Sequence, residues 1–515
     1  MHRFSAASCI MPEPYIKRIL EANVYDVAIE SPLSPAPFLS ARLNNHILLK
    51  REDEQPVYSF KLRGAYNKIR KLSAEEMACG VVTASAGNHA QGVALAAQRL
   101  GIKATIVMPR TTPEIKVASA KARGAKVVLH GDTFDEAFVF SQKLIAEKGL
   151  VYIHPYDDPD VIAGQGTIAM EMLRQHTGPL HAVFVPVGGG GIAAGVATYI
   201  KYLRPEVKVI AVESTESACL AAAMAAGERV ILPQVGIFAD GVAVAQIGKH
   251  TWELCRQYVD EVITCTPDEI CAAIKDIFDD TRSVAEPAGA LGVAGLKKYV
   301  EREKCEGQTL IAIESGANVN FDRLRYISEV AEIGEGREMI MAVTIPERPG
   351  SFQAFCSLLG KRSITEFNYR YSDDNAAQIY VGVKLENNTG ARSELLQVLA
   401  DNEYPAVDLS NDEISKYHIR HMVGGHAPAS VNNEILYRFE FPERPGALLK
   451  FLRTLGKRWN ISMFHYRNHG AAYGRVLVGL QVDANAKTEL TEYLDEIGYA
   501  YWEESDNPAY RIFLK

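Results

Sequence analysis

HAVFVPVGGGGIAAGVA, residues 181–197, carries the reading on which the fold class turns. A short apolar run leads into four consecutive glycines, and small residues at helical spacing follow. That is a buried strand, a turn and a helix in order. The same pattern recurs on either side. HILLK, GVVTAS, ATIVM, KVVLH, VYIH and VKVIAVE are further strand candidates between about Asn45 and Glu213. Between them lie helical patterns such as HAQGVALAAQRL and the stretch from Phe134 to Glu147. The strands are apolar on both faces, as a parallel sheet covered by helices on each side requires. The class is α/β.

The glycine run also carries chemistry. With 39 glycines in 515 residues, four in a row between a strand and a helix are not a chance cluster. Glycine lets the backbone approach a ligand closely, and N–H groups at a helix start favour an anion. Gly188, Gly189, Gly190 and Gly191, with Ile192 opening the helix, therefore read as a phosphate cradle rather than a flexible turn. The spacing matches neither the dinucleotide fingerprint nor a P-loop, so the bearer of the phosphate stays open. SAGNHAQG (Ser85–Gly92) sits at another strand-to-helix junction, where Ser85 or Asn88 reads equally well as a helix cap. SGAN (Ser315–Asn318) follows TLIAIE and reads locally as a turn. In SFKLRGA (Ser59–Ala65), local spacing does not distinguish Lys61 from the other lysines.

Length and composition bound the remaining classes. A chain of 515 residues is too long for one core, so two to four domains are expected. A net charge of −8 argues against a nucleic-acid surface. Eight cysteines without CxxC spacing form neither a disulfide framework nor a zinc site, and read as reduced thiols of a cytoplasmic protein. No apolar stretch approaches a membrane span. Residues 1–14 read as a disordered start rather than a transit peptide, with Met11 a second candidate initiator.

After about Ile333 the grammar changes. MIMAVTIP, a helix over 351–361, strands over 365–371 and 378–385, a helix over 392–402 and a short strand near Val407 give βαββαβ, the order of ferredoxin-like α+β modules. The order then repeats. PERPGSFQAFCSLLGKR from Pro346 and PERPGALLKFLRTLGKR from Pro442 lie 96 residues apart with ten of 17 positions identical, and FNYR (367–370) returns as FHYR (464–467). The tail is an internal duplication, with modules expected over 338–410 and 434–515 behind a first region over 15–333.

SFKLRGAY, TASAGNHAQGVA, VIAGQGT, FVPVGGGGIAAGVA, VAEPAGAL and SGANVNF stand in one order along the chain. Together they resemble the fold type II (tryptophan synthase β-like) pyridoxal-phosphate enzymes, and within them the threonine dehydratases. The tandem tail resembles the two ACT-like modules of the isoleucine-controlled, biosynthetic type. The resemblance implies that Lys61 carries pyridoxal 5′-phosphate covalently and acts as catalytic base. It implies that Asn88 bonds the cofactor's ring hydroxyl, Gly188–Ile192 hold its phosphate and Ser315 partners its ring nitrogen. Ser85, Ala86, Gly87, Asn88 and His89 are implied to receive the substrate carboxylate. A neutral serine at the ring nitrogen, where an aspartate would keep it protonated, implies a shallower electron sink suited to prompt β-elimination.

The implied reaction is dehydration and deamination of L-threonine to 2-oxobutanoate and ammonia, the first committed step toward isoleucine. The resemblance further implies isoleucine inhibition, valine modulation, L-serine as a secondary substrate and a homotetramer. Two departures from the similar serine racemases matter. Ala86 stands where they carry a second serine, and Cys219 stands where a carboxylate would complete a metal site begun by Glu213, so racemisation and a metal are disfavoured. Two other readings are a catabolic serine/threonine dehydratase, against which the tandem tail counts, and a non-catalytic amino-acid sensor, against which the intact Lys61, Asn88 and Ser315 count. Tyr369 and Tyr466 recur at matching places in the two copies. They are candidate effector residues, with plain core packing as the alternative.

Overall fold

The computed structural model describes residues 13–112, 114–236, 238–321, 323–334, 337–360, 362–370, 376–385, 390–412, 415, 419, 431, 433–442, 447–455, 458–467, 473–507, 510 and 514. Residues 1–12, which include Met11 and most of the expected disordered start, lie outside them, and the first helix begins at Glu13. The chain divides into two compact units, Met1–Ala331 and Glu332–Lys515.

Among the described residues the first unit holds ten strands: β1 Leu33–Pro35, β2 His46–Arg51, β3 Val81–Ala84, β4 Ala104–Met108, β5 Lys126–Leu129, β6 Val151–Tyr152, β7 Ala182–Pro186, β8 Lys208–Ser214, β9 Glu261–Cys265 and β10 Thr309–Glu314. They form two sheets, ordered β1-β2-β10-β7-β8-β9 and β5-β4-β3-β6. Every pairing is parallel except β1 with β2. All five residues of β7 are buried, as its apolar run demands of a central parallel strand. Two strands escape the sequence pattern. β1 is three residues ending in proline at an edge, and β9 lies beyond the stretch with clear α/β alternation.

The helix Lys61–Arg70 is tied down by charges buried away from water. Arg63 grips Glu52 through Nε and Nη2, each at 2.8 Å, and its Nη1 donates to Thr167 Oγ1 at 3.0 Å. Lys50 Nζ donates to Glu171 Oε2 and to Ser31 O, both at 2.6 Å. Arg63 Nη2 also reaches Glu171 Oε2 at 3.0 Å, so two cations and two carboxylates close one network. Removing one member strands a buried charge. Arg63→Ala is therefore expected to destabilise the chain by roughly 3–5 kcal/mol, read as a lower midpoint in denaturant unfolding. An unchanged midpoint would mean the network is not closed in solution.

The second unit has strands β11 Glu338–Pro346, β12 Ile364–Arg370, β13 Ala376–Lys384, β14 Ala406–Asp408, β15 Glu434–Pro442, β16 Asn460–Arg467, β17 Tyr473–Gln481 and β18 Ala500–Glu503. Helices Ser351–Leu359 and Ala391–Asp401 belong to the first copy, Ala447–Leu455 and Lys487–Ile497 to the second. Each copy runs βαββαβ, as its sequence pattern predicts. The two copies do not form separate sheets. They join in one, ordered β14-β11-β13-β12-β16-β17-β15-β18, with β12 and β16 antiparallel at its centre.

Candidate active site

Lys61 opens its helix directly after a stretch that is pinned by backbone pairing. Ser59 bridges Gly316, Phe60 N donates to Ser315 O at 3.3 Å and Ala317 N to Tyr58 O at 2.9 Å. Tyr58 takes the left-handed φ of 55°, turning the chain into this pairing. The lysine and Ser315, far apart in sequence, are thereby set side by side. Lys61 Nζ donates to Pro155 O at 3.0 Å. Burial lowers its pKa to about 8, with Glu286 partly opposing the shift. An amine so shifted supplies the neutral, nucleophilic form near neutral pH.

The helix Asn88–Leu100 abuts this lysine turn. A Cβ on Gly92 would come within 3.0 Å of Leu62 N and Lys61 C, so only glycine lets the two segments meet. That contact sets Asn88 and His89 beside Lys61. Asn88 Nδ2 donates to Glu286 Oε1 at 2.5 Å, and Asn88 Oδ1 accepts from Asn318 Nδ2 at 2.6 Å. Asn318 also donates to Val57 O at 2.8 Å. The Asn88 amide thus has its carbonyl engaged and one N–H left to offer. His89 donates through Nε2 to Ile153 O at 2.9 Å. Burial and then the Lys61 charge push its pKa down to about 3, so the imidazole is neutral. Ser85 Oγ accepts from Gly87 N at 3.3 Å, and the Cβ direction of Gly87 is open for at least 4 Å. This half-buried turn over Ser85, Ala86 and Gly87 therefore has room in front of it.

Ser315 is buried, with Oγ 3.4 Å from Ala288 O. Gly188–Gly191 lead from β7 into the helix Gly191–Leu203, with Ile192 buried at its start. A Cβ on Gly189 would lie 2.3 Å from the Tyr156 ring, and Gly190 has φ +90°. Among the described residues the N–H groups of Gly189, Gly190 and Gly191 bond to no acceptor. Unspent donors at a helix start, beside a lysine poised as a nucleophile and a buried neutral serine, fit pyridoxal phosphate.

Sequence reasoning passed over Glu286, Tyr156 and Thr251, and it gave no role to Asn318, although VAEPAGAL and SGANVNF contain two of the four. Burial raises the Glu286 pKa to about 7, with Asp240 adding to the shift and the Asn88 hydrogen bond opposing it. Between about 4.5 and 7 the folded chain therefore holds a proton that the unfolded chain has lost. That stabilisation is complete below 4.5 and disappears as pH rises through 7. Glu286→Gln is accordingly expected to raise the melting temperature of the cofactor-free chain, relative to the unsubstituted chain, more at about pH 8 than at about pH 5. Equal differences at both pH values would refute the assignment.

Glu213 accepts from Leu220 N and Ala221 N, each at 2.8 Å, and burial raises its pKa to about 7. No group of three or more His, Cys, Asp or Glu suited to a metal ion occurs among the described residues. No described helix is long and apolar enough to cross a membrane.

In the second unit, Tyr369 and Tyr466 are buried on one face of the sheet. Phe367 pairs with Tyr466 across the β12–β16 seam and Tyr369 with Phe464. Tyr369 OH donates to Glu347 Oε2, in the first PERPG turn, at 2.5 Å, and its ring stands edge-on to Phe352. The turn of the second copy, residues 443–446, lies outside the described residues.

Comparison with known proteins points the same way. Residues 24–316 match the model of the family described as pyridoxal-phosphate dependent enzyme. Residues 329–419 and 425–514 each match the C-terminal regulatory domain of threonine dehydratase. The chain is 56% identical over 503 residues to the biosynthetic L-threonine dehydratase of Burkholderia multivorans, spanning 97% of this chain and 99% of that protein. It is 55% identical over 500 residues to that of Escherichia coli K12, spanning 97% of each. Among solved structures, the processed form of threonine deaminase isoform 2 from Solanum lycopersicum superposes with a TM-score of 0.61 at 51% identity, over 62% of this chain and 93% of that one.

Proposed function

Because the chain belongs to the pyridoxal-phosphate-dependent enzyme family and ends in the regulatory domain of threonine dehydratases, we propose that it converts L-threonine to 2-oxobutanoate and ammonia under the control of isoleucine and valine. It is a biosynthetic threonine dehydratase, a lyase that depends on pyridoxal phosphate. The observation that best supports the assignment of residues is the backbone pairing of Tyr58–Phe60 with Ser315–Ala317, which joins the segment leading into Lys61 to the one that holds Ser315.

When bound, the cofactor withdraws the electron pair left behind as the α-proton departs. Lys61 holds the cofactor and then, as a free amine, removes that proton at Nζ. Within the Ser85–His89 turn, Ser85 N and Gly87 N are already bonded to Val107 O and Ser85 Oγ, so the N–H groups of Ala86, Asn88 and His89 and the Ser85 hydroxyl bind the substrate carboxylate. With the cofactor bound, Asn88 would donate its remaining N–H to the ring hydroxyl, Ser315 would partner the ring nitrogen, and the glycine run with Ile192 would hold the phosphate. The β-hydroxyl leaves as water, taking the proton that Lys61 Nζ removed. Tautomerisation and hydrolysis of the freed product then release ammonia.

L-Serine, shorter by one methyl group, is a secondary substrate in this reading. The working form is a cytoplasmic homotetramer, and the effectors bind in the tail. Tyr369 and Tyr466 border the effector pockets, supported by the hydrogen bond that ties Tyr369 to the PERPG turn of its own copy. The test is steady-state formation of 2-oxobutanoate from L-threonine, with and without isoleucine or valine. Isoleucine is expected to inhibit and valine to alter that response. Tyr369→Phe and Tyr466→Phe are expected to shift the half-inhibiting isoleucine concentration or the valine response several-fold, within the usual coupling of about 1–3 kcal/mol. Unchanged responses in both variants would return the tyrosines to packing.

A further inference from the structure

The carbonyls of the glycine run are each held from outside the loop. Gly188 O accepts from Cys219 Sγ at 3.4 Å. Gly189 O accepts from Thr251 Oγ1 at 2.7 Å and from Gly248 N at 3.4 Å. Gly190 O accepts from Ala194 N at 2.8 Å, and Cys255 Sγ stands 4.0 Å from it. In a trans peptide the N–H points opposite to the C=O of the same plane. Anchoring the carbonyls of Gly188, Gly189 and Gly190 outward therefore turns the N–H groups of Gly189, Gly190 and Gly191 the other way. Those are the N–H groups with no acceptor among the described residues.

Of these contacts the one from the Thr251 hydroxyl is the shortest. It is itself fixed. Thr251 is fully buried in the first turn of the helix Lys249–Tyr258, whose leading N–H groups all converge on one carboxylate. Asp157 Oδ2 accepts from Lys249 N at 2.8 Å, and Oδ1 accepts from His250 N at 2.7 Å and from Thr251 N at 3.2 Å. Asp157 adjoins Tyr156, whose ring packs on Gly189, and lies two residues after Pro155, whose carbonyl holds Lys61. Freed from its carbonyl anchor, the Gly189–Gly190 plane is able to flip, since neither residue carries a Cβ.

We propose that Thr251, held in place by Asp157, is a positioning residue that locks the Gly189–Gly190 peptide so that its N–H faces the cofactor phosphate. The proposal rests on the reading of Gly188–Gly191 as the phosphate cradle and adds the element that preorganises it. Thr251→Val keeps the shape and removes the hydroxyl, while Thr251→Ser keeps the hydroxyl.

The test uses the full chain stripped of cofactor and titrated with pyridoxal phosphate and, separately, with pyridoxal, which lacks the phosphate. Binding is followed by absorbance. In the unsubstituted chain, pyridoxal phosphate is expected to bind far more tightly than pyridoxal. Thr251→Val is expected to weaken pyridoxal phosphate about ten-fold and leave pyridoxal unchanged. Thr251→Ser is expected to restore most of the loss, and Asp157→Asn to reproduce part of it. Equal weakening toward both ligands, or no rescue by serine, would overturn the positioning role and leave Thr251 as packing. A chain that binds pyridoxal as tightly as pyridoxal phosphate would instead overturn the cradle itself.

Discussion

Lys61→Ala is expected to abolish 2-oxobutanoate formation from L-threonine, by at least about 10³-fold, and to remove the visible absorbance of the lysine-bound cofactor. Two roles are lost at once, since the same Nζ holds the cofactor and takes the α-proton. The surroundings leave no substitute. His89 Nδ1 has no partner among the described residues, but burial pushes the imidazole pKa down to about 3 and makes it too weak a base, and Glu286 is buried and engaged by Asn88. Among the described residues the Nζ makes a single hydrogen bond, to Pro155 O, so its removal breaks little of the fold and a loss of rate reads as lost chemistry. The measurements are the turnover and the absorbance spectrum of the purified variant. Turnover near the normal rate would remove Lys61 from the reaction.

The second large effect is expected at the glycine run. In Gly189→Ala the new methyl would lie 2.3 to 2.4 Å from Cγ, Cδ1 and Cδ2 of Tyr156, far inside contact distance. Tyr156 cannot retreat freely, because its own N–H and that of Asp157 are bonded to His154 Nδ1 at 3.2 and 2.8 Å. Relief of the clash therefore moves the loop, and with it the donors aimed at the phosphate. Affinity for pyridoxal phosphate is expected to fall by about 100-fold or more, measured by titration of the cofactor-free chain. Trimming the obstacle supplies the check. Adding Tyr156→Ala to Gly189→Ala is expected to recover part of the affinity, a coupling that a double-mutant cycle reads directly. Two additive losses would show that the methyl and the ring do not meet.

The sequence exposed what is local and hid what is paired over distance. The apolar runs of β3, β4, β7, β8 and β10 are legible because a strand buried on both faces carries few polar residues to disguise it. β9, EVITC, is half-buried and carries a charge at its first position, and β1 is too short for any period. At the site, the glycine run announces itself through composition, whereas Lys61 and Ser315 are identifiable only through resemblance to a family. Glu286 and Asn318 act by meeting Asn88, 198 and 230 residues away, and Thr251 meets Gly189 across 62 residues. No spacing rule spans such separations. In the tail the duplication is plain, yet the fusion of both copies into one sheet is not, because the edge that β12 offers has the same pattern as any half-buried strand.

That seam has a consequence for the chain while it is being made. The ribosome releases the first copy of the tail well before β16 exists, since β12 and its partner lie 97 residues apart. During that interval β12 presents an unsatisfied backbone edge, with Phe367 and Tyr369 on the face that will later pack against Phe464 and Tyr466. An uncovered edge of this kind pairs readily with whatever strand it meets. Two half-made chains on one messenger carry the same edge and could zip β12 to β12, imitating the seam with the wrong partner. Tethering the true partner in the same chain keeps its local concentration high and favours the correct closure. A messenger cut short between the two copies would deny the chain that partner, and its product is expected to collect as dimers or aggregates rather than as free single tails.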